Sequence, residues 1–392
     1  MYIKREISDY LQNLANHFPA VILTGARQTG KTTLLQHLFP QHRFVSLDLP
    51  QLAELAEKNP QEFFTQYPPP VIIDEIQYAP GLFRHLKILL DKSRHQKGRF
   101  LLTGSQKFSL MKEVSESLAG RCAILELDTL SAQEFQTTRT MDPVSWLQFL
   151  LRGGFPELAV EPNLPAADFY RSYVATYLER DVRSLLQIGN LRDFDRFIRM
   201  CAARCAQLLN LSELAKDIGI SPPTAKQWLS VLQASNQIDL LEPHLPNRGQ
   251  RLVKTPKLYF RDTGLLCFLL GLSSAEQFLN TPLSGAIWEN FVYGQLSRGL
   301  RTHSTATTLW FWRDTYGLEA DFLLDHGDRF TLVEAKWQEQ PGTKDAKNLE
   351  KIIPLLEKSR PVKGMILCRT PHSYPLTKTT TVQNGFLQTP LI

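Results

Sequence analysis

Residues Gly25 to Thr33 read G-A-R-Q-T-G-K-T-T, between the apolar run Ala20-Val21-Ile22-Leu23-Thr24 and the helix-prone run Leu34-Leu35-Gln36-His37-Leu38. A strand, a glycine loop and a helix in that order limit the chain to an α/β core that holds an anion at the start of the helix. Gly25 and Gly30 supply the backbone angles that bend the loop around the anion, and the helix opening at Lys31 points unpaired amides and its positive dipole end inward. The β- and γ-phosphates of a nucleotide are the expected guests. Lys31 is expected to neutralise γ-phosphate charge, and the Thr32 hydroxyl to enter a Mg²⁺ shell that otherwise uses water, phosphate oxygens and a distant acid. Nucleotide contacts are therefore assigned to Gly25, Arg27, Gln28, Thr29, Gly30, Lys31, Thr32, Thr33 and that acid.

The acid is Asp74. Val71-Ile72-Ile73-Asp74-Glu75 follows the stiff Pro68-Pro69-Pro70 stretch, and its apolar run predicts a buried central parallel strand with Asp74 at its carboxyl end, where α/β sheets place ligands. Asp74 is expected to hold Mg²⁺ through water and Glu75 to polarise an attacking water. The next apolar run, Arg99-Phe100-Leu101-Leu102-Thr103-Gly104-Ser105, ends in hydroxyl residues. Thr103, with Ser105 as second choice, is expected to sense the γ-phosphate. A helix from about Met111 to Leu118 then ends at Ala119-Gly120-Arg121, before a strand Cys122 to Leu127. Arg121 resembles the finger that AAA-type proteins insert into a neighbouring subunit's nucleotide site, which implies a homo-oligomer. An arginine placed there for the helix dipole alone is the other reading.

With 392 residues the chain is longer than one hydrophobic core usually serves, and roughly two to four domains are expected. At 43% hydrophobic and 21% charged residues it has the composition of an ordinary globular protein. The start, Met1-Tyr2-Ile3-Lys4-Arg5-Glu6, has no apolar secretion core, and the greasy run Leu265 to Leu272 is too short to cross a bilayer. No membrane partner and a cytoplasmic location are expected. Cys122, Cys201, Cys205, Cys267 and Cys368 show neither zinc-ribbon nor disulfide spacing. Cys201 and Cys205, one helical turn apart, are expected as buried apolar residues rather than a shared site. A net charge of +5 suits an anionic partner without requiring one.

Beyond Leu130 the pattern turns helical. Ser131-Ala132-Gln133-Glu134 reads as a capping box and Trp146 to Leu151 as an apolar helix, together suited to a lid over the nucleotide. Arg152-Gly153-Gly154-Phe155-Pro156-Glu157 reads as a rigid turn. Glu179-Arg180-Asp181 reads as an ion-pair set on a helix through Tyr170 to Leu186. From Leu211 to Leu232 the order is helix, turn at Gly219, and a second helix capped by Ser221 with Pro222 in its first turn. Strand-like runs Ile238 to Leu241 and Leu252 to Phe260 complete a winged helix-turn-helix pattern. Its second helix offers only Thr224, Lys226, Gln227 and Ser230 for base reading, whereas the wing carries Arg248, Arg251, Lys254 and Lys257 for DNA phosphates. A structural or protein-binding role is equally open.

After Gly285 come a helix through Ala286 to Val292, strands Thr308 to Arg313, Leu318 to Leu324 and Phe330 to Trp337, a helix from about Lys344 to Lys358, and a strand Val362 to Cys368. On this αβββαβ order, Glu334 and Lys336 share a strand face and Asp321 can join them from the adjoining strand. The arrangement resembles the PD-(D/E)xK nuclease core, which implies Asp321 and Glu334 as metal ligands, Lys336 as support for the nucleophile and Glu289 as the helix acid. No proline precedes Asp321, and Trp337 follows Lys336. A scaffold that keeps these residues as salt bridges is the alternative.

Across nearly its whole length the chain resembles prokaryotic AAA-type ATPases that carry a carboxyl-terminal domain of unknown function with a restriction-endonuclease-like fold. The motifs that carry the likeness are the loop, Asp74-Glu75, Leu102-Thr103-Gly104-Ser105, Leu118-Ala119-Gly120-Arg121, Gly154-Phe155-Pro156-Glu157, Tyr177-Leu178-Glu179-Arg180-Asp181 and Val333-Glu334-Ala335-Lys336. The resemblance implies an ATPase core over 1–130, a helical lid over 131–200, a winged helix over 201–275 and a nuclease-like domain over 276–392, with ATP and Mg²⁺ as cofactors. Two functions follow from it: an ATPase acting on DNA with a possible nuclease domain, or a nucleotide-dependent switch that binds protein partners and cuts nothing.

Overall fold

The computed structural model describes residues 2–105, 118–139, 141–178, 191–245, 254–302 and 306–386. The expected helix from Met111, apart from its last residue, lies outside them, as do Glu179-Arg180-Asp181, Arg248 and Arg251. The chain divides into two compact units, one of residues 1–130 with 155–157 and 234–236, the other of the remainder.

The first unit runs α1 (Ser8–His17), β1 (Ala20–Thr24), α2 (Lys31–Leu38), β2 (Arg43–Ser46), α3 (Pro50–Lys58), α4 (Pro60–Gln66), β3 (Val71–Asp74), a short 3₁₀ turn, α5 (Leu82–Lys92), β4 (Phe100–Gly104) and β5 (Cys122–Glu126). The five strands form a parallel sheet ordered β2-β3-β4-β1-β5. Because successive side chains on a strand face opposite ways, each apolar strand feeds two cores. Ile22, Ile73, Phe100 and Leu102 pack with Phe63 of α4 and Phe83 and Leu86 of α5, while Leu23, Ile72, Leu101 and Leu125 pack with Leu11 of α1 and Leu34 and Leu35 of α2. Cutting fully buried Leu86 back to alanine should cost about 2–5 kcal/mol. The carboxyl ends of β1, β3 and β4 lie side by side, with Leu23 opposite Thr103 and Ile73 opposite Leu102.

The second unit opens with α6 (Ala132–Gln136), which starts at the expected Ser131–Glu134 capping box, and α7 (Pro143–Arg152). The chain continues through α8 (Pro156–Val160), whose first two residues fall in the first unit, α9 (Ala166–Tyr173), α10 (Leu191–Ala203), α11 (Leu211–Ile218) and α12 (Pro222–Ala234), whose last residue does too. The turn before α8 is held from the side: the Gly154 amide donates to Asp262 Oδ2 (2.9 Å), and the Tyr170 hydroxyl donates to Asp262 Oδ1 (2.7 Å). A side chain at Gly153, where φ is +73°, would collide with both partners. Gly219, at φ +83°, ends α11, and the Ser221 hydroxyl caps α12 by accepting from the Thr224 amide (3.2 Å). Antiparallel β6 (Ile238–Leu241) and β7 (Lys257–Phe260) follow; of the expected Leu252–Phe260 run, 252 and 253 lie outside the described residues, and the described part is strand from Lys257 onward. Cys201 and Cys205 are buried.

Then come α13 (Thr263–Leu269), α14 (Ala275–Asn280), α15 (Ser284–Thr302), β8 (Thr308–Arg313), β9 (Glu319–Asp325), β10 (Phe330–Ala335), α16 (Lys347–Leu356), β11 (Val362–Cys368), β12 (Tyr374–Pro375) and β13 (Thr380–Asn384). Their mixed sheet is ordered β12-β13-β11-β10-β9-β8, antiparallel from β8 to β10 and parallel from β10 through β11 to β13. Leu349, Ile352, Ile353 and Leu356 of α16 cover Leu323, Leu332 and Ile366 on one face. Among the described residues no helix is long and apolar enough to cross a membrane.

Candidate functional site

At the end of β1 the chain must turn sharply into α2, and the two glycines make that turn. Gly25 has φ +146°, and a Cβ there would run into the Leu127 carbonyl oxygen; Gly30, at φ +88°, precedes α2. The Thr29 hydroxyl donates to the Ala26 carbonyl (3.0 Å), closing the loop on itself. Lys31 Nζ lies over the loop, donating to the carbonyls of Gly25 (3.1 Å) and Ala26 (2.9 Å). Gln28 and Thr33 are exposed and Arg27 is half-buried. A residue missed in the sequence braces this loop: buried Arg5 donates to the Thr29 carbonyl (2.9 Å) and the Asp128 carbonyl (2.7 Å). Nothing in Lys4-Arg5-Glu6 distinguishes Arg5 from a solvated charge.

The neighbouring strand ends bring four expected residues into one network. Asp74 Oδ1 accepts from the Thr32 hydroxyl (2.7 Å) and from the Thr103 hydroxyl (2.6 Å). Thr103, fully buried, also accepts from the Glu75 amide (3.1 Å), so one hydroxyl stands between the two acids. Glu75 sits at φ +53°, a left-handed conformation uncommon for a residue with a side chain, and one that marks functional turns. Its carboxylate accepts from the Ser105 amide (3.1 Å), the Ser105 hydroxyl (2.9 Å) and Gln77. Burial pushes the Glu75 carboxyl up, but the Lys31 charge and the bonds from Gln77 and Ser105 outweigh it, leaving the group below its ordinary value and ionised. The Thr32 hydroxyl beside the Asp74 carboxylate is a hard-oxygen donor set of the kind Mg²⁺ takes.

Arg121 lies elsewhere. It precedes β5, whose Cys122 pairs with Ala20 at the amino end of β1, so it stands at the opposite edge of the sheet from the loop. Its Nε and Nη2 bind both oxygens of Asp91 (2.7 and 3.1 Å). It cannot serve the loop of its own chain.

On α12, Lys226, Gln227 and Ser230 are exposed and Thr224 is half-buried, while Trp228 packs edge-on against Phe194 and Phe197. Lys254 is exposed. Lys257 corrects the expectation of a phosphate-gripping wing residue. It is 2% exposed, because the first residue of β7 aims its side chain inward. Its ammonium meets Glu289 Oε1 (2.9 Å), Glu319 and, at 3.8 Å, Asp321 Oδ1.

That lysine changes the carboxyl-terminal site. Glu289 on α15, Asp321 on β9, Glu334 on β10 and Lys336 just beyond it do come together. Asp321 Oδ2 accepts from the Ala335 amide (2.9 Å), and Lys336 donates to Glu334 Oε1 (2.7 Å). Among the described residues, however, no group of three or more His, Cys, Asp or Glu side chains is set to hold a metal ion. The ammonium of Lys257 lies among three of the neighbouring acids, Glu289, Glu319 and Asp321. Burial and the Asp321 charge raise Glu334 to about 8 against the pull of Lys336, and raise Glu289 to about 7 against Lys257 and Tyr259. Burial would lower Lys257, but Glu289, Asp321 and Glu319 hold it charged and above its ordinary value.

Residues 17–136 match the AAA domain family, residues 144–276 a domain of unknown function, DUF8612, and residues 284–385 another, DUF4143. The uncharacterized protein Rv2008c of Mycobacterium tuberculosis is 32% identical over 349 residues, covering 86% of this chain and 75% of that protein. Mb2031c of Mycobacterium bovis, also an uncharacterized protein, matches with the same values: 32% identity over 86% of this chain and 75% of its own. Among solved structures, a Walker-type ATPase of Pyrococcus abyssi aligns over 68% of this chain and 96% of its own, at 15% identity and a TM-score of 0.47.

Proposed function

The chain belongs to the family of its mycobacterial relatives Rv2008c and Mb2031c, and because its residues 17–136 match the AAA domain we propose that it is a Mg²⁺-dependent ATPase whose carboxyl-terminal half follows the nucleotide state and cuts nothing. The observation that carries the ATPase reading is the single hydrogen-bonded network linking Thr32, Asp74, Thr103 and Glu75 at adjoining strand ends. In it, Gly25, Arg27, Gln28, Thr29, Gly30 and Thr33 line the nucleotide, and Lys31 turns from the loop carbonyls to the phosphates. Thr32 and Asp74 hold Mg²⁺, which when bound neutralises charge on the phosphate oxygens. Glu75, kept ionised, orients water and accepts its proton, while Thr103 couples the two acids. Arg121 serves the site of a second copy after leaving Asp91. Phosphate release by the wild type should require Mg²⁺ and be lost in Asp74→Asn; equal rates in both would dismiss the site. Arg121→Ala should lower hydrolysis per subunit, and an unchanged rate removes the homo-oligomer reading.

Lys257 supports the silent nuclease-like domain, since a buried ammonium among Glu289, Glu319 and Asp321 uses those acids as salt-bridge partners. The second reading, action on DNA through a winged helix over 201–275, draws on the exposed Lys226, Gln227 and Ser230 of α12. Metal-dependent cleavage of single-stranded, double-stranded or branched DNA by the wild type and not by Lys336→Ala would overturn the silent domain. Salt-dependent DNA binding weakened by alanine at Lys226 and Lys254 would favour the second reading.

A further inference from the structure

Within the second unit, a cavity of about 670 Å³ is bordered by Phe135, Arg139, Leu151, Arg152, Tyr170 and Phe268. Its volume falls in the range of small-molecule sites, roughly 300–1,000 Å³. The two arginines are unusual in how they are held. Arg139 Nη2 donates to the Ala159 carbonyl (2.9 Å), and Arg152 Nη2 donates to the carbonyls of Leu158 (3.1 Å) and Glu161 (3.2 Å). Backbone carbonyls thus fix each guanidinium through one nitrogen, and among the described residues no carboxylate neutralises either one. The Arg139 guanidinium also lies 4.8 Å from the Phe135 ring centroid. Burial first, and then the neighbouring Arg139 charge, hold Arg152 below its ordinary value. Two planar forks with spare N–H groups favour a doubly charged, multi-oxygen anion over a single carboxylate. The rings of Phe135, Tyr170 and Phe268 give the same cavity a flat apolar wall, and Tyr170 and Phe268 are stacked at 5.9 Å.

We propose that this cavity is a second ligand site, separate from the glycine loop, for a phosphomonoester joined to a flat, base-sized body. Arg139 and Arg152 take the phosphate and the aromatic wall takes the body. Such chemistry comes either from a free nucleoside monophosphate or from the 5′-phosphorylated end of a nucleic acid strand.

The test is calorimetric binding to full-length Lys31→Ala protein, in which the glycine loop is disabled. The probes are adenosine 5′-monophosphate, adenosine, inorganic phosphate, and one oligonucleotide with either a 5′-phosphate or a 5′-hydroxyl. The phosphorylated member of at least one pair should bind, with the dephosphorylated member about tenfold to a hundredfold weaker, and the pair that responds identifies the source. Arg139→Gln and Arg152→Gln should each weaken binding about tenfold or more. Because Arg152→Gln also frees the Leu158 and Glu161 carbonyls, Ala167→Phe is the variant that decides. Ala167 lines the cavity and touches neither arginine's hydrogen bonds, so a ring there should abolish binding in a folded chain. No phosphorylated probe binding below about 1 mM overturns the proposal, as does binding that survives Ala167→Phe. Inorganic phosphate binding as tightly as the monophosphate would overturn the base-sized body.

Discussion

Thr103→Val isolates the hydroxyl on which the nucleotide site turns. Valine matches threonine in shape, so no cavity opens; only the bond to Asp74 Oδ1 (2.6 Å) and the bond from the Glu75 amide (3.1 Å) disappear. The first is a bond to a carboxylate, worth about 1.5–3 kcal/mol, and the second leaves an amide unsatisfied beside a fully buried side chain, at about 1–3 kcal/mol. Much of that loss falls on the local turn that holds Glu75 at φ +53°, so amide exchange at Glu75 should quicken by about one to two orders of magnitude. With both acids released, positioning of water and metal suffers, and a misplacement of about 1 Å lowers the rate of hydrolysis about 10²-fold. ATP affinity should change little, because Lys31 and the loop amides carry it. The assays are steady-state phosphate release, equilibrium binding of ATP, and hydrogen exchange, each beside Thr103→Ser, which keeps the hydroxyl and should retain most activity. Wild-type turnover in Thr103→Val would refute the reasoning, and so would a defect confined to ATP binding.

Lys257→Met should destabilise the second unit by about 3–5 kcal/mol at pH 7, because Glu289 and Asp321 lose the ammonium they share, while Glu319 keeps Arg313. Thermal unfolding checks it, and an unaltered midpoint would mean that the lysine is not what balances those acids. Glu334 gives a pH dependence of definite sign. The folded chain holds its proton more tightly than the unfolded one, so its contribution to stability is complete below pH about 4.5 and is lost as the pH rises through about 8. Glu334→Gln should therefore flatten the fall of the unfolding midpoint between those limits, and parallel profiles for the two proteins would contradict the burial argument.

Much of the first unit was legible because buried parallel strands are continuous apolar runs, and because glycines between such a run and a helix start mark a loop that bends around an anion. Asp74, Glu75 and Thr103 followed from their places at strand ends, since parallel register alone brings such ends together. The αβββαβ order was readable for a different reason: β8, β9 and β10 are largely apolar runs cut by turns at Gly317 and Gly327. What escaped were side chains whose roles depend on long-range packing. Lys257 looked like one more basic wing residue, yet its partners lie 32, 62 and 64 positions away in the chain, at Glu289, Glu319 and Asp321. Arg5 resembled a solvated terminal charge, and its acceptors are backbone carbonyls, which carry no residue signature. Arg139 and Arg152 were overlooked likewise, because a missing counter-charge shows only once the neighbours are in place.

The central claim, ATP hydrolysis at the end of the parallel sheet, is tested most directly by single-turnover hydrolysis with Glu75→Gln beside the wild type. The substitution keeps the size of the side chain while removing the carboxylate that the Lys31 charge and the bonds from Gln77 and Ser105 hold ionised. The account predicts ATP binding within about threefold of wild type and hydrolysis slower by about 10²-fold or more. Hydrolysis at the wild-type rate would contradict it.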